Sequence, residues 1–187
     1  MKDGRPRPSF TTLARILSIA GHPFLLIPLT VAASTKGWKG TAVVAGITIL
    51  PLLAIVIRNV RRGRWSDHDV SRRDQRAGLY LVAAPLVLLA ALVLYFLGAS
   101  TSMLRAVGAA AAMLAVGLAA NRWLKISMHM MCAAFCGVLL GRLYPWTPAL
   151  SIPFTAAVAW SRWKLERHTP LEIALGLVLG TVAGFMV

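Results

Sequence analysis

Charged residues interrupt this chain only at wide intervals. The stretches 16–35, 40–57, 77–104, 106–121, 126–141, 143–161 and 173–187 contain no Asp, Glu, Lys or Arg. A helix crossing about 30 Å of hydrocarbon needs roughly 20 residues. The stretch 77–104 holds one such helix, Leu79 to Leu97, followed by the turn Gly98-Ala99-Ser100-Thr101-Ser102. The shorter stretches reach full length once Arg or Lys ends snorkel to the interface. The pattern predicts seven spans, at about 11–34, 40–58, 78–98, 103–121, 126–143, 146–163 and 169–187. Pro148 and Pro153 are expected to bend the sixth. The basic N-terminus leads into an apolar stretch too long for a secretory leader, and no small-residue cleavage site follows it.

Composition strengthens this reading. Hydrophobic residues make up 58% of the chain and charged residues 14%, with mean hydropathy +0.70. A soluble domain carries about 25% charged residues, and a disordered basic arm would be poor in Leu, Val and Ala. The expected fold is therefore an all-α, polytopic integral membrane bundle forming one domain over 1–187. Its neighbours are membrane lipids and not nucleic acid, despite a net charge of +14. A second copy of the chain stays open as a partner.

Seven spans would put the two termini on opposite faces. The N-terminal face then carries sixteen Lys and Arg: Lys2, Arg5, Arg7, Arg15, Arg58, Arg61, Arg62, Arg64, Arg72, Arg73, Arg76, Arg122, Lys125, Arg162, Lys164 and Arg167. The other face carries Lys36, Lys39, Arg105 and Arg142. The positive-inside rule places the N-terminus, and the face it lies on, in the cytoplasm of a cell-membrane protein. Trp38, Trp65, Trp123, Trp146, Trp160 and Trp163 fall near span ends, as interfacial belts do. Cys132 and Cys136, one turn apart within the fifth span, read as packing thiols rather than metal ligands. Gly176 and Gly180 form a small-x-x-x-small face in the last span.

Polar residues re-enter the membrane in three clusters, all on the N-terminal face. These are Trp65 to Arg76, Lys125-Ile126-Ser127-Met128-His129, and Trp160 to Glu172. An even number of spans separates each pair, so all three can converge. Each opens a helix, where free N–H groups attract anions. Two histidines and several arginines at helix starts describe a phosphate site.

Those residues carry a resemblance. Ser161-Arg162, five residues, then His168, resembles the third signature of the type 2 phosphatidic acid phosphatase superfamily, Ser-Arg-x5-His-x3-Asp. Ser127-Met128-His129 is similar to the second, Pro-Ser-Gly-His, and Arg76-Ala77 to the Arg-Pro that closes the first, Lys-x6-Arg-Pro. The match covers roughly residues 60 to 180. Four positions depart from it: Asp69 stands where the first signature has Lys, Ala77 replaces Pro, Ile126 and Met128 replace Pro and Gly, and Glu172 replaces Asp.

The resemblance implies a helical membrane phosphatase, with a six-helix core, acting without metal or cofactor on an isoprenyl or glycerolipid phosphate or diphosphate. It implies that His168 attacks phosphorus and becomes a phosphohistidine, with Glu172 fixing its tautomer. His129 would protonate the leaving alkoxide, and Arg76, Arg162, Ser127 and Lys125, with Arg72 or Arg73 in place of the missing Lys, would hold the phosphate. Duller roles stand beside these. Thr169-Pro170-Leu171-Glu172 spells a helix capping box, and Arg76 suits an inside-facing anchor. Arg58, Arg61, Arg62 and Arg64 suit lipid headgroups, His22 suits a packed polar group, and His68 has no assigned role. Two other functions stay in view: an impaired relative that only binds lipid phosphates or supports a complex, and a membrane prenyltransferase, hinted at by Asp67-His68-Asp69 and Asp74.

Overall fold

The computed structural model describes residues 8–35 and 37–187, and the side chains from Phe10 onward. Lys2, Arg5, Arg7 and Lys36, counted above for sidedness, lie outside the described residues. Among the described residues the secondary structure is entirely helical: α1 (Pro8–Ala20), α2 (Pro23–Ser34), α3 (Trp38–Val43), a π-helical turn (Val44–Ile49), α4 (Leu50–Arg61), α5 (Arg73–Phe96), α6 (Thr101–Ala120), α7 (Met128–Leu143), α8 (Pro148–Lys164) and α9 (Pro170–Phe185).

The expected first span, 11–34, is two helices set 47° apart. Pro23 is the cause: it offers no N–H and steers the residue before it out of the α region. His22 is accordingly extended, and its ring Nδ1 accepts from the Phe24 N–H at 3.2 Å, capping α2. Pro148 opens α8 at its first turn instead of bending it, and the helix continues through Pro153. Trp38–Arg61 forms one 24-residue run through the π turn. Three helices are long and apolar enough to cross a membrane: Trp38–Arg61, Arg73–Phe96 and Thr101–Ala120; counting the bent α1–α2 pair makes four. The seven expected spans are not reached on that measure, because α7 and α9 are apolar but only 16 residues each. Leu81, Leu88, Leu92 and Phe96 on α5, with Leu150 and Ile152 on α8, are exposed. An apolar exterior of this kind suits lipid rather than water.

Helix α7 is the centre of the bundle. Its residues His129 to Cys136 are buried without interruption, as in a helix surrounded on all sides. It packs most closely on α9, then on α8 and α2. Small residues make the α7–α9 approach possible. A Cβ on Gly176 would lie 2.7 Å from the Ser127 carbonyl and 2.9 Å from Met130 Cβ. One on Gly180 would strike the Met131 carbonyl. The spacing 176/180 thus works as its sequence predicts.

Because Gly180 meets backbone, Gly180→Ala should force α9 off α7 and destabilise the protein by about 1–3 kcal/mol. Gly108→Ala, where a Cβ meets nothing within 4 Å, should leave it unchanged or slightly firmer. Thermal melting of both variants in detergent tests the difference; equal melting points would mean that the close approach is not needed.

Candidate functional site

At one end of the bundle the start of α5, the link before α7, the end of α8 and the link before α9 come together with the α1–α2 break. The loop before α5 is built around Asp67. Its Oδ1 accepts from the Asp69 N–H at 2.9 Å, the Ser71 N–H at 3.3 Å and the Ser71 hydroxyl at 2.9 Å. That Asx-type turn forces Val70 to φ 46°, a costly conformation for a β-branched residue. The result aims the Val70 carbonyl inward.

Arg76, one turn into α5, is 2% exposed. Its Nε donates to the Val70 carbonyl at 3.1 Å and one terminal nitrogen to the Ile126 carbonyl at 2.7 Å. The other terminal nitrogen lies 3.4 Å from His168 Nε2. The opposite ring nitrogen, Nδ1, faces the Lys125 carbonyl at 3.0 Å and Glu172 Oε2 at 3.1 Å. Both of those partners only accept, so Nδ1 carries the proton and Nε2 keeps its lone pair. Burial, then the charges of Arg76, Arg162 and Lys125 and the nearby His129, hold the His168 ring well below its usual pKa, so it is neutral.

Glu172 is at once a cap and a partner of the histidine. Its Oε2 accepts from the Thr169 N–H at 3.1 Å while Thr169 Oγ1 accepts from the Glu172 N–H at 3.3 Å, completing the capping box. Its Oε1 accepts from the Lys125 N–H at 3.2 Å, and its carbonyl from the Ser127 N–H at 3.2 Å. One residue therefore ties the start of α9 to the start of α7.

Arg162, at the end of α8, is 1% exposed. One terminal nitrogen donates to Asp69 Oδ2 at 2.8 Å and to the Ser18 hydroxyl at 2.5 Å. Burial pushes the Asp69 carboxyl up, but the charge and hydrogen bond of Arg162 outweigh it and hold Asp69 below the usual carboxylate value. The other Asp69 oxygen lies 3.6 Å from His22 Nε2, and the His22 ring packs edge-on against His129 at 5.0 Å.

Among the described residues five buried side-chain polar atoms have no hydrogen-bond partner. Three belong here: Ser127 Oγ, His129 Nε2 and Arg162 Nε. Buried polar atoms without partners are rare in folded proteins. Ser127, His129, Arg76, Arg162, His168 and Glu172 thus share one site. Lys125 contributes through its backbone, and burial, ahead of its charged neighbours, lowers the proton affinity of its ammonium. Arg72 and Arg73 do not join them. The extended backbone at Arg72 turns it to the exposed Asp74, at 3.2 Å, and Arg73 bonds the Trp123 carbonyl at 3.1 Å. Sequence reasoning missed Ser18 and undervalued His22 and Asp69. Pro23 after His22 is a signal for a helix break, but nothing in the sequence places that break beside His129.

His22, Asp69 and His129 have ligand atoms within 4.8 Å of one another. They make a poor cation site. His22 Nδ1 accepts from the Phe24 N–H, which leaves the proton on Nε2, and Arg162 already takes the cationic place beside Asp69. No protein-family model, curated protein or solved structure matches the chain.

The depressed proton affinity of His168 has a definite sign for stability. The unfolded chain protonates this histidine near 6.5 and the folded one does not. Stability should therefore fall as pH drops through about 6.5, because the unfolded state binds the extra proton. Melting in detergent between about pH 7.5 and about pH 5.5 should show a shallower acid loss in His168→Gln than in the parent. Identical slopes would mean that this ring is not held neutral by the fold.

Proposed function

We propose that the chain is a membrane lipid-phosphate phosphatase similar to the type 2 phosphatidic acid phosphatase superfamily. It hydrolyses the phosphate of an isoprenyl or glycerolipid substrate through a phosphohistidine, without a metal. The observation that carries this proposal is the His168 ring, whose Nδ1–H is held by Glu172 and the Lys125 carbonyl so that the Nε2 lone pair faces Arg76. A ring held in this tautomer is ready to attack, as a triad histidine is ready to accept a proton.

In this mechanism the phosphate takes the place of the ring nitrogen as the partner of Arg76. Its remaining oxygens meet the unpartnered Arg162 Nε and Ser127 Oγ. Fixed guanidinium groups in a dry site stabilise the charge on the transferring phosphoryl group. The His168 Nε2–P bond forms as the P–O ester bond breaks, and the alkoxide takes the Nε2 proton of His129, whose imidazolium form the bound phosphate dianion stabilises. Water then attacks phosphorus, giving its proton back to His129 and releasing His168. Glu172 acts as a positioning residue and neither touches phosphate nor loses its charge.

Seven membrane crossings belong to the same proposal, with the short α7 enclosed by its neighbours and the site on the cytoplasmic face. A substrate whose headgroup sits at this depth keeps its tail among apolar residues. A second reading, a protein that binds lipid phosphate without turnover, is favoured by one contact: the Asp69–Arg162 pair, which occupies a guanidinium the phosphate needs.

Phosphate release from a panel of lipid phosphates by purified protein in EDTA separates the two. The parent should release phosphate, and His168→Ala should lower the rate by about a thousandfold or more. Glu172→Gln should lose about a hundredfold or more in kcat through the wrong tautomer, with KM little changed. Release that survives His168→Ala would remove the phosphohistidine, and binding without release in the parent would establish the second reading.

A further inference from the structure

An apolar cavity of about 140 Å³ lies between α2, the π turn, α5, α6 and α7. An engineered cavity of about 150 Å³ admits a benzene-sized piece of hydrocarbon. Along α7 its lining runs from Met128 to Leu139, about 16 Å of helix at 1.5 Å per residue. Its side-chain hydroxyls are Thr30 and Thr48, and the rest of the wall is apolar or thiol. The π turn supplies Val44, Thr48 and Ile49 to the wall. Such wide turns are frequent at functional positions in helices.

Two residues of the cavity wall adjoin the site. Met128 lies between Ser127 and His129, and the Phe24 ring rests on His22 at 4.8 Å. In the mechanism proposed above the departing oxygen faces His129, the ring that packs on His22. Whatever hangs from that oxygen leaves past Phe24 and Met128.

We propose that this cavity receives the first part of the tail of a single-chain lipid phosphate of the isoprenyl kind; this rests on the phosphatase reading above. The chemistry of the wall selects the class. In an isoprenyl phosphate, hydrocarbon begins at the atom next to the ester oxygen, which matches Phe24 and Met128. A diacyl glycerolipid would bring two ester carbonyls to Phe24 and Met128, side chains that donate no hydrogen bond, at the cost of desolvating polar groups. Met128 also stands where the resembling signature has Gly, so the residue that departs from the signature becomes part of the tail wall. The other large groove, between α7, α8 and α9, is lined by exposed residues such as Ile152 and Phe185 and belongs to the lipid-facing exterior.

A farnesyl phosphate analogue with a diazirine in its chain, added to the protein in lipid nanodiscs, tests the assignment by photolabelling and peptide mapping. Labels should fall on Phe24, Val87, Met131 or their neighbours in the cavity wall. Filling the cavity with Ala83→Leu or, independently, Ala110→Leu should lower that labelling about tenfold, the loss expected when roughly two methylene groups are no longer buried. Labels on lipid-facing Leu88 or Phe96, or in the α7–α8–α9 groove, would overturn the proposal whatever the variants do. Phosphate release measured on the same samples keeps the two ideas apart. Release with labels outside the cavity removes the tail pocket and keeps the phosphatase, and cavity labels without release do the reverse. No release and no cavity label would remove both.

Discussion

Two buried guanidinium groups set the terms for this end of the molecule. Arg76 and Arg162 are each almost fully enclosed, and an enclosed charge is tolerated only when it is paired and hydrogen-bonded. The chain meets that demand with backbone and loop. Val70 adopts a left-handed conformation that turns its carbonyl to Arg76, and the link before α7 offers the Ile126 carbonyl. Asp69, from the same loop as Val70, and Ser18, from α1, meet Arg162. Four segments distant in sequence, around Ser18, 69–76, Ile126 and Arg162, are drawn together by the need to satisfy two cations.

Around those cations the bundle has little freedom. Helix α7 is enclosed on all sides, and the small face of α9 lets the two backbones approach until Gly176 sits against the Ser127 carbonyl. Glu172 closes the same junction through its cap, its carbonyl and its carboxylate. The cap and the histidine contact are therefore one arrangement: the geometry that starts α9 also sets the His168 tautomer. A longer Glu in place of Asp suits this, since it spans both the Thr169 N–H and the His168 ring.

The departures from the phosphatase signatures acquire physical content in the fold. Asp69, in place of a cation, compensates Arg162 and faces His22. Met128, in place of Gly, adds an apolar side chain between the site and the inner cavity. The break before Pro23 brings a third histidine to the pair formed by His129 and Asp69. These changes alter the surroundings of the proposed phosphate site more than the two histidines at its centre.

The helical class, the apolar exterior, the capping box at Thr169 and the small-residue face of α9 were all legible in the sequence. Each is a local pattern or a composition effect whose physics acts within a few residues. The grouping of Arg76, Ser127, His129, Arg162, His168 and Glu172 was expected from the resemblance and from their placement on one predicted face, which brings helix ends to one side of the bundle without fixing their contacts. Arg72 and Arg73 went astray because their direction depends on an extended backbone at one helix start. The unbroken first span failed for a related reason: a periodic pattern does not report a proline break. Only the tertiary structure decided that Asp69 neutralises Arg162, that His22 reaches His129, and that a cavity lies beneath Met128. Those are contacts between segments far apart in the chain, made by packing and by the pairing of buried charges, and no local pattern encodes them.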